Sequence, residues 1–160
     1  MHNVQSALDA ARRWCSRREQ SVAAVREKLA AWDLDPSEKE EIIAVLIREK
    51  VLDDARYLRS FIHDHWRFNH WGRQKIMFML QQQGFSRDEV NRAWEDVDEA
   101  AYTAMVREEL KKKLKSCTKD APYELKARLL RYGAARGFGM QEMMPLIDNL
   151  LNASEDDTQE

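Results

Sequence analysis

Apolar side chains recur at intervals of three and four residues along most of the chain. In the first segment, Val4, Leu8 and Cys15 fall on one face of a helix, while the neighbouring arginines fall mostly off it. Only five glycines and three prolines interrupt the 160 residues, which favours long helical segments over a turn-rich β architecture. The pattern predicts an all-α protein.

Residues that start or stop helices divide this pattern into short segments. Serine and aspartate accept hydrogen bonds from the first free amides of a helix, proline suits the first turn, and glycine suits the end. The predicted N-caps are Ser21, Asp53 and Ser86, the predicted first-turn prolines are Pro36 and Pro122, and the predicted stops are Gly84 and Gly137. A short helix, a turn and a second short helix therefore recur along the chain.

The hydrophobic residues of these segments repeat three times. Ile76, Met77 and Phe85 are matched by Leu129, Leu130 and Phe138, which follow at one constant offset. An earlier copy of the repeat, once a three-residue insertion is allowed, contains Val25, Leu29 and Leu34. Small units of this kind cannot bury an apolar face alone and must pack on a neighbour. We predict three tandem three-helix modules, residues 1–50, 51–99 and 100–152, in an elongated, curved molecule with a disordered acidic tail, 153–160.

Charge is unevenly distributed, although the formal net charge is only −2. From Arg107 to Arg136 there are ten basic and four acidic residues, whereas Glu142 to Glu160 contains six acidic residues and no basic one. A basic segment of this density favours an acidic partner, either nucleic acid or a negatively charged protein groove, over a merely solvated face. Aromatic residues for base stacking are not interleaved with it, so sequence-specific DNA recognition is not predicted.

Motifs for catalysis or metal binding are not found. No phosphate-binding loop or zinc-ligand spacing is present, and His63 and His65, two apart on a helix, cannot face one ligand. Adjacent Asp53 and Asp54 fit helix capping better than acid–base chemistry. Cys15 and Cys117 form no CxxC pair, and no signal peptide or membrane span is evident, so we expect a reduced cytoplasmic protein without metal or cofactor.

Three stretches, taken together, resemble the RecX family of bacterial recombination regulators from about Ala7 to Leu151. They are SRREQSVAAVREKL, residues 16–29, VLDDARYLRSFI, residues 51–62, and the glycine-bounded segment from Gly72 to Phe85. The family consists of tandem three-helix modules, which agrees with the repeat described above. The resemblance implies a protein without catalytic activity that acts in DNA repair, recombination and the SOS response.

The resemblance further implies that the chain binds in the groove of the RecA–DNA filament and inhibits ATP hydrolysis and strand exchange. RecA would then be the partner, with at most weak single- or double-stranded DNA contact and no membrane, and we expect a monomer. The predicted partner-binding residues are Arg73, Lys75, Lys111, Lys112, Lys113, Lys115, Arg128 and Arg131; the predicted structural motif residues are Asp54, Arg56, Tyr57, Gly72 and Gly84. The alternative is a general DNA-binding helical-repeat protein that acts without RecA.

Two further positions carry expectations of their own. Gly133 occupies a helical position that is Leu80 in the preceding repeat, which predicts a looser third module, since glycine within a helix costs about 1 kcal/mol relative to alanine. Trp71 fits core packing best, as do the other tryptophans, although its position beside Arg73 and Lys75 would also suit a contact surface.

Overall fold

A computed structural model of the chain describes residues 4–117 and 120–158, with side chains described as far as residue 153. Every regular element within these ranges is a helix. The helices are α1 (Val4–Arg17), α2 (Val22–Leu29), α3 (Pro36–Arg48), α4 (Asp54–Arg67), α5 (Arg73–Gln82), α6 (Arg87–Trp94), α7 (Glu99–Lys115), α8 (Pro122–Arg136) and α9 (Met140–Thr158). The predicted all-α fold is confirmed.

The predicted helix starts are found where local sequence placed them. The Ser21 hydroxyl accepts a hydrogen bond from the Ala24 amide at 3.1 Å, and the Asp53 carboxylate accepts one from the Arg56 amide at 3.1 Å. At α6 the bonds are reciprocal, because the Ser86 hydroxyl accepts from the Glu89 amide and the Glu89 carboxylate accepts from the Ser86 amide. Pro36 and Pro122 are the first residues of α3 and α8.

The chain divides into two compact units, Met1–Phe61 and Ile62–Glu160. In the first unit, small residues on α1, among them Ala7 and Ala11, pack against α2 and α3. The core that they cover includes Val25, Leu29, Ile42 and Leu46, all buried. The three predicted module boundaries are finer than this division and stay a prediction.

The second unit has a core built from α5, α6, α7, α8 and α9 together with the end of α4. Its buried side chains include Ile62, Ile76, Leu80, Val90, Val106, Leu110, Leu129, Phe138, Met143 and Ile147. Tyr102 is buried between two tryptophans, and its ring meets those of Trp66 and Trp94 edge-on at centroid distances of 6.1 and 5.2 Å. This core fixes α7 and α8, the two helices that carry most of the predicted contact residues.

Gly133 is closely packed. It is buried in α8, and a Cβ added there would lie 2.1 Å from the Met143 sulfur and 3.1 Å from the ring of Phe138. Glycine here admits a close approach of the Met143 side chain, which acts against the helix-propensity cost. The looser third module stays a prediction.

Most of the predicted disordered tail continues α9, which extends to Thr158. Disorder was predicted from the run of acidic residues after Ser154. A helix that is already formed and packed, however, can extend through any residue that tolerates the helical conformation. Glu155 and Ala153 do so readily. The last two residues of the predicted tail lie outside the described part of the chain.

Candidate functional site

Three of the predicted contact lysines share the exposed side of α7. At 100° per residue, Lys111, Lys112 and Lys115 fall within about a third of the helix circumference. The buried residues Tyr102, Val106 and Leu110 lie on the opposite side. We call Lys111, Lys112 and Lys115 the lysine face. It lies in the last turns of α7, where positive charge also complements the helix dipole.

Beside the lysine face, α7 carries a buried carboxylate, Glu109, which is only 4% exposed. It bonds to the His70 ring nitrogen at 2.6 Å and accepts a hydrogen bond from the Tyr132 hydroxyl at 3.1 Å. The Lys112 ammonium and the Arg136 guanidinium lie 3.7 and 3.5 Å from its oxygens. Glu109 thus joins α7, α8 and the loop between α4 and α5.

The surroundings of Glu109 favour its ionised form. Burial raises the pKa of this carboxyl, but the hydrogen bond from His70, the charge of Arg136 and the hydrogen bond from Tyr132 outweigh it, so the pKa is lowered overall. The carboxylate therefore offsets part of the positive charge around it and holds Arg136 and Lys112 in defined positions.

Lys113 lies apart from the lysine face. Its ammonium is 5.4 Å from the centroid of the Tyr132 ring, which also contacts the Arg136 guanidinium at 5.1 Å. The Tyr132 hydroxyl accepts a hydrogen bond from Arg136 at 2.8 Å. Lys113 and Arg136 are therefore held by a shared aromatic side chain on α8.

The two predicted contact residues of α8 lie on its exposed side. Arg128 and Arg131 are three apart and therefore neighbours on the helix surface. The Arg128 guanidinium is 3.2 Å from the Asp120 carboxylate and 3.9 Å from the Cys117 sulfur. Part of the Arg128 charge is thus compensated within the protein, while no carboxylate within 4 Å of Arg131 occurs among the described residues.

On α5, Arg73 and Lys75 point in different directions. The Arg73 guanidinium lies over the Trp94 ring at 5.0 Å and is 4.0 Å from the Glu99 carboxylate. The Lys75 ammonium lies over the Trp71 ring at 4.3 Å. The structure therefore groups Lys111, Lys112 and Lys115, groups Arg128 with Arg131, and leaves Arg73, Lys75 and Lys113 in separate surroundings. Their role in partner binding stays a prediction.

The start of α5 is fixed by backbone contacts with the end of α8. The Gly72 amide donates to the Arg136 carbonyl at 2.6 Å, and the Gln74 amide donates to the Gly137 carbonyl at 3.0 Å. A Cβ on Gly72 would lie 2.2 Å from the Gly137 carbonyl carbon, and one on Gly137 would lie 2.4 Å from the Lys75 Cβ. Both glycines are thus needed for this close approach.

A buried tyrosine completes the same junction. The Tyr102 hydroxyl accepts from the Arg73 amide at 2.8 Å and donates to the Glu142 carboxylate at 3.0 Å. Burial and the charge of Glu142 raise the pKa of Tyr102, so it stays a neutral donor. The first free amides of α5 are thereby satisfied by residues far away in the sequence.

Three further predicted motif residues, Asp54, Arg56 and Tyr57, make structural contacts. Asp54 accepts a hydrogen bond from the Val22 amide at the start of α2, at 2.9 Å. Arg56 bonds to Glu19 at 2.7 Å and to the carbonyls of Lys50 and Val51. Tyr57 packs its ring against Phe61 at 6.1 Å.

Sequence reasoning missed the Glu109 network. A signal was present, since Glu109 follows Val106 by three residues and Tyr102 by seven, and so occupies a core-facing position of α7. A carboxylate at such a position requires buried partners. The partners, His70, Tyr132 and Arg136, could not be found because they are supplied by other elements.

The histidines that raised a metal hypothesis have other contacts. His70 bonds to Glu109, His65 packs on the Trp71 ring at 4.5 Å, and the His63 ring lies 3.6 Å from the Asp64 carboxylate. In the part of the chain that the structure describes, no group of three or more His, Cys, Asp or Glu side chains could hold a metal ion. No described helix is long and apolar enough to cross a membrane.

Comparison with known proteins gives consistent matches. Residues 53–93, covering α4, α5 and most of α6, match the family model described as RecX, second three-helix domain. Regulatory protein RecX of Yersinia enterocolitica is 26% identical over 169 residues, covering 92% of this chain and 99% of the relative. Regulatory protein RecX of Cronobacter sakazakii is 28% identical over 152 residues, covering 89% and 90%.

A solved structure shows the same fold. The crystal structure of RecX from Lactobacillus salivarius superposes with a TM-score of 0.85 at 18% identity, covering 92% of this chain and 96% of that one. The fold is that of a helical-repeat protein. The chain is thus similar to RecX regulatory proteins over most of its length.

Proposed function

We propose that this protein is a negative regulator of the RecA recombinase. It binds in the groove of the RecA–DNA filament and inhibits ATP hydrolysis and strand exchange, without catalysing a reaction itself. Similarity to proteins named as regulatory protein RecX supports the regulatory role. The single structural observation that carries the proposal is the lysine face on α7, which offers an exposed, clustered positive charge to an acidic groove.

The geometry explains how a rigid contact surface would be presented. Lys112 is held near Glu109, and the side of α7 opposite the lysine face is buried in the core. Lys111 and Lys115, on the exposed side, have no carboxylate within 4 Å among the described residues. Their charge is therefore available to a partner, and little ordering of the α7 backbone remains to be done on binding.

The test measures ATP hydrolysis by RecA filaments on single-stranded DNA while this protein is added in substoichiometric amounts. The wild type should inhibit well below one molecule per RecA monomer. Lys111→Glu combined with Lys115→Glu reverses two charges on the lysine face and should raise the half-inhibiting concentration by roughly tenfold.

The matched control reverses two charges elsewhere. Arg87→Glu combined with Arg92→Glu changes the net charge equally and, like the test variant, alters one residue in the last turn of a helix. Retention of wild-type inhibition by the control supports the lysine face as a contact surface. Absence of inhibition by the wild type would exclude the proposed function.

The alternative, a DNA-binding protein that acts without RecA, predicts a different result. Affinity for bare single- or double-stranded DNA would be high, would fall steeply with salt and would depend on the same lysines. Weak binding to bare DNA in the salt at which RecA is inhibited contradicts that alternative.

A further inference from the structure

The exposed side of α5 carries a stripe of side chains with the spacing of a helix-packing seam. Trp71, Lys75, Phe78 and Gln82 follow one another at intervals of four, three and four residues. Trp71 precedes the helix but is brought into line by its contact with Lys75. We call these four residues the α5 stripe.

Phe78 is the apolar centre of the α5 stripe. It is 58% exposed, whereas Ile76 and Leu80, on either side of it in sequence, are fully buried. Exposure of more than half of a phenylalanine, on a helix whose other face is packed, leaves an apolar surface that water solvates poorly. Single exposed apolar residues are common, so Phe78 indicates a contact surface only together with the residues beside it.

Lys75 gives the α5 stripe its charge. On the same helix, Arg73 faces the Glu99 carboxylate, and further along the chain Lys112, Lys126 and Arg128 each pair with an acidic residue. Lys75 has no carboxylate within 4 Å among the described residues. Its ammonium lies over the Trp71 ring, which in turn packs on His65. The cation is therefore held in place and remains electrostatically uncompensated.

We propose that the α5 stripe is a docking surface for an amphipathic helix of a protein partner, with an apolar side chain on Phe78 and a carboxylate on Lys75. The 3–4 spacing over about three turns suits a helix laid alongside α5. A single cation, over the Trp71 ring, suits a peptide better than a nucleic acid, which presents a phosphate at every nucleotide. The inference rests on the proposed function, with the partner helix belonging to a RecA filament subunit.

The junction of Gly72 and Gly137 makes this surface rigid. Its backbone hydrogen bonds fix the start of α5, so Trp71 and Lys75 keep their positions relative to α8. A preformed surface loses less conformational freedom on binding than a mobile one.

The experiment compares Phe78→Gln with Met140→Gln as a matched control. Met140 is a large apolar residue at the start of α9 in the same unit, and it is 57% exposed. Far-ultraviolet circular dichroism first checks that both variants keep wild-type helicity. Inhibition of RecA ATP hydrolysis is then titrated, and binding to a bare single-stranded oligonucleotide is measured in the same salt.

Phe78→Gln should raise the half-inhibiting concentration about tenfold or more, because a contact that buries a phenylalanine is lost, while Met140→Gln stays at the wild-type value. Wild-type inhibition by Phe78→Gln would overturn the docking surface and leave the proposed function standing. An equal loss of oligonucleotide binding would assign the α5 stripe to nucleic acid and overturn the protein partner. Absence of inhibition by the wild type would remove both proposals.

Discussion

The turns that follow α5 and α8 have the same conformation but different surroundings. Each turn contains a glycine with positive φ, 100° at Gly84 and 94° at Gly137, and each is followed by a buried phenylalanine, Phe85 or Phe138. A Cβ on Gly84 would meet nothing within 4 Å. One on Gly137 would lie 2.4 Å from the Cβ and 2.6 Å from the backbone nitrogen of Lys75.

This difference separates two reasons for which a chain uses glycine. At Gly84, glycine is needed only for the left-handed backbone conformation that ends the helix. At Gly137, the same conformation is combined with a close approach to another helix. The repeat in the sequence therefore reports the local conformation of both turns, whereas the contact of α8 with α5 is a property of the later turn.

The largest expected effect is that of Gly137→Ala. The substitution places a methyl group against the backbone of Lys75 and also forces alanine into a left-handed conformation. We expect a loss of about 2 to 5 kcal/mol in the free energy of unfolding, the sum of overpacking and conformational strain. Urea unfolding followed by circular dichroism measures this loss.

Gly72→Ala tests the same junction from its other side. Here φ is −81°, so alanine adopts the backbone conformation without strain, and any loss arises from the added Cβ alone. The assignment of a close helix junction fails if Gly72→Ala has wild-type stability.

Sequence predicted the fold through features that act locally. Ser21 and Ser86 cap the helices that follow them because capping needs only a hydroxyl and an amide three residues later. The packing at Gly133 could not be predicted, for the opposite reason. Its packing against Met143 depends on where α9 lies, and no local pattern reports that.

The candidate site shows the same limit. The basic residues of α7 and α8 could be identified as a dense basic segment from the distribution of charge along the sequence. The sequence could not show which of these positive charges are compensated by a nearby carboxylate. Arg128 faces Asp120 in the turn before α8, and Lys112 faces the buried carboxylate of Glu109 on its own helix. Charge patterns predict a surface, and only the fold determines which charges on it remain available.

An intermediate effect is expected for Glu109→Gln, which tests a junction held by charge instead of close packing. The amide keeps the shape of the side chain but removes the charge that His70, Lys112 and Arg136 face. We expect a loss of about 1 to 3 kcal/mol in the free energy of unfolding at neutral pH. Glu108→Gln, on the exposed side of the same helix, is the matched control and should change stability little.

The pH dependence of this loss distinguishes charge from shape. The pKa of Glu109 is lowered in the folded protein, so ionisation contributes stability that is fully present above its ordinary pKa of 4.5. That contribution disappears as the pH falls from 4.5 through the folded-state pKa. The difference between wild type and Glu109→Gln should therefore shrink in acid, and a difference independent of pH would contradict the electrostatic explanation.

The smallest expected effect is that of Gly84→Ala. Because a Cβ at Gly84 meets no neighbour, the cost is the conformational strain of alanine with positive φ, about 1 kcal/mol, partly offset by reduced freedom of the unfolded chain. Gly84→Asn should cost less still, since asparagine tolerates the left-handed region better than alanine does. Urea unfolding of both variants measures the two losses.

If Gly84→Ala cost as much as Gly137→Ala, backbone conformation alone would explain both glycines, and the close approach of α5 to α8 would contribute nothing to stability. A cost several times smaller at Gly84 would leave the helix junction as the source of the excess.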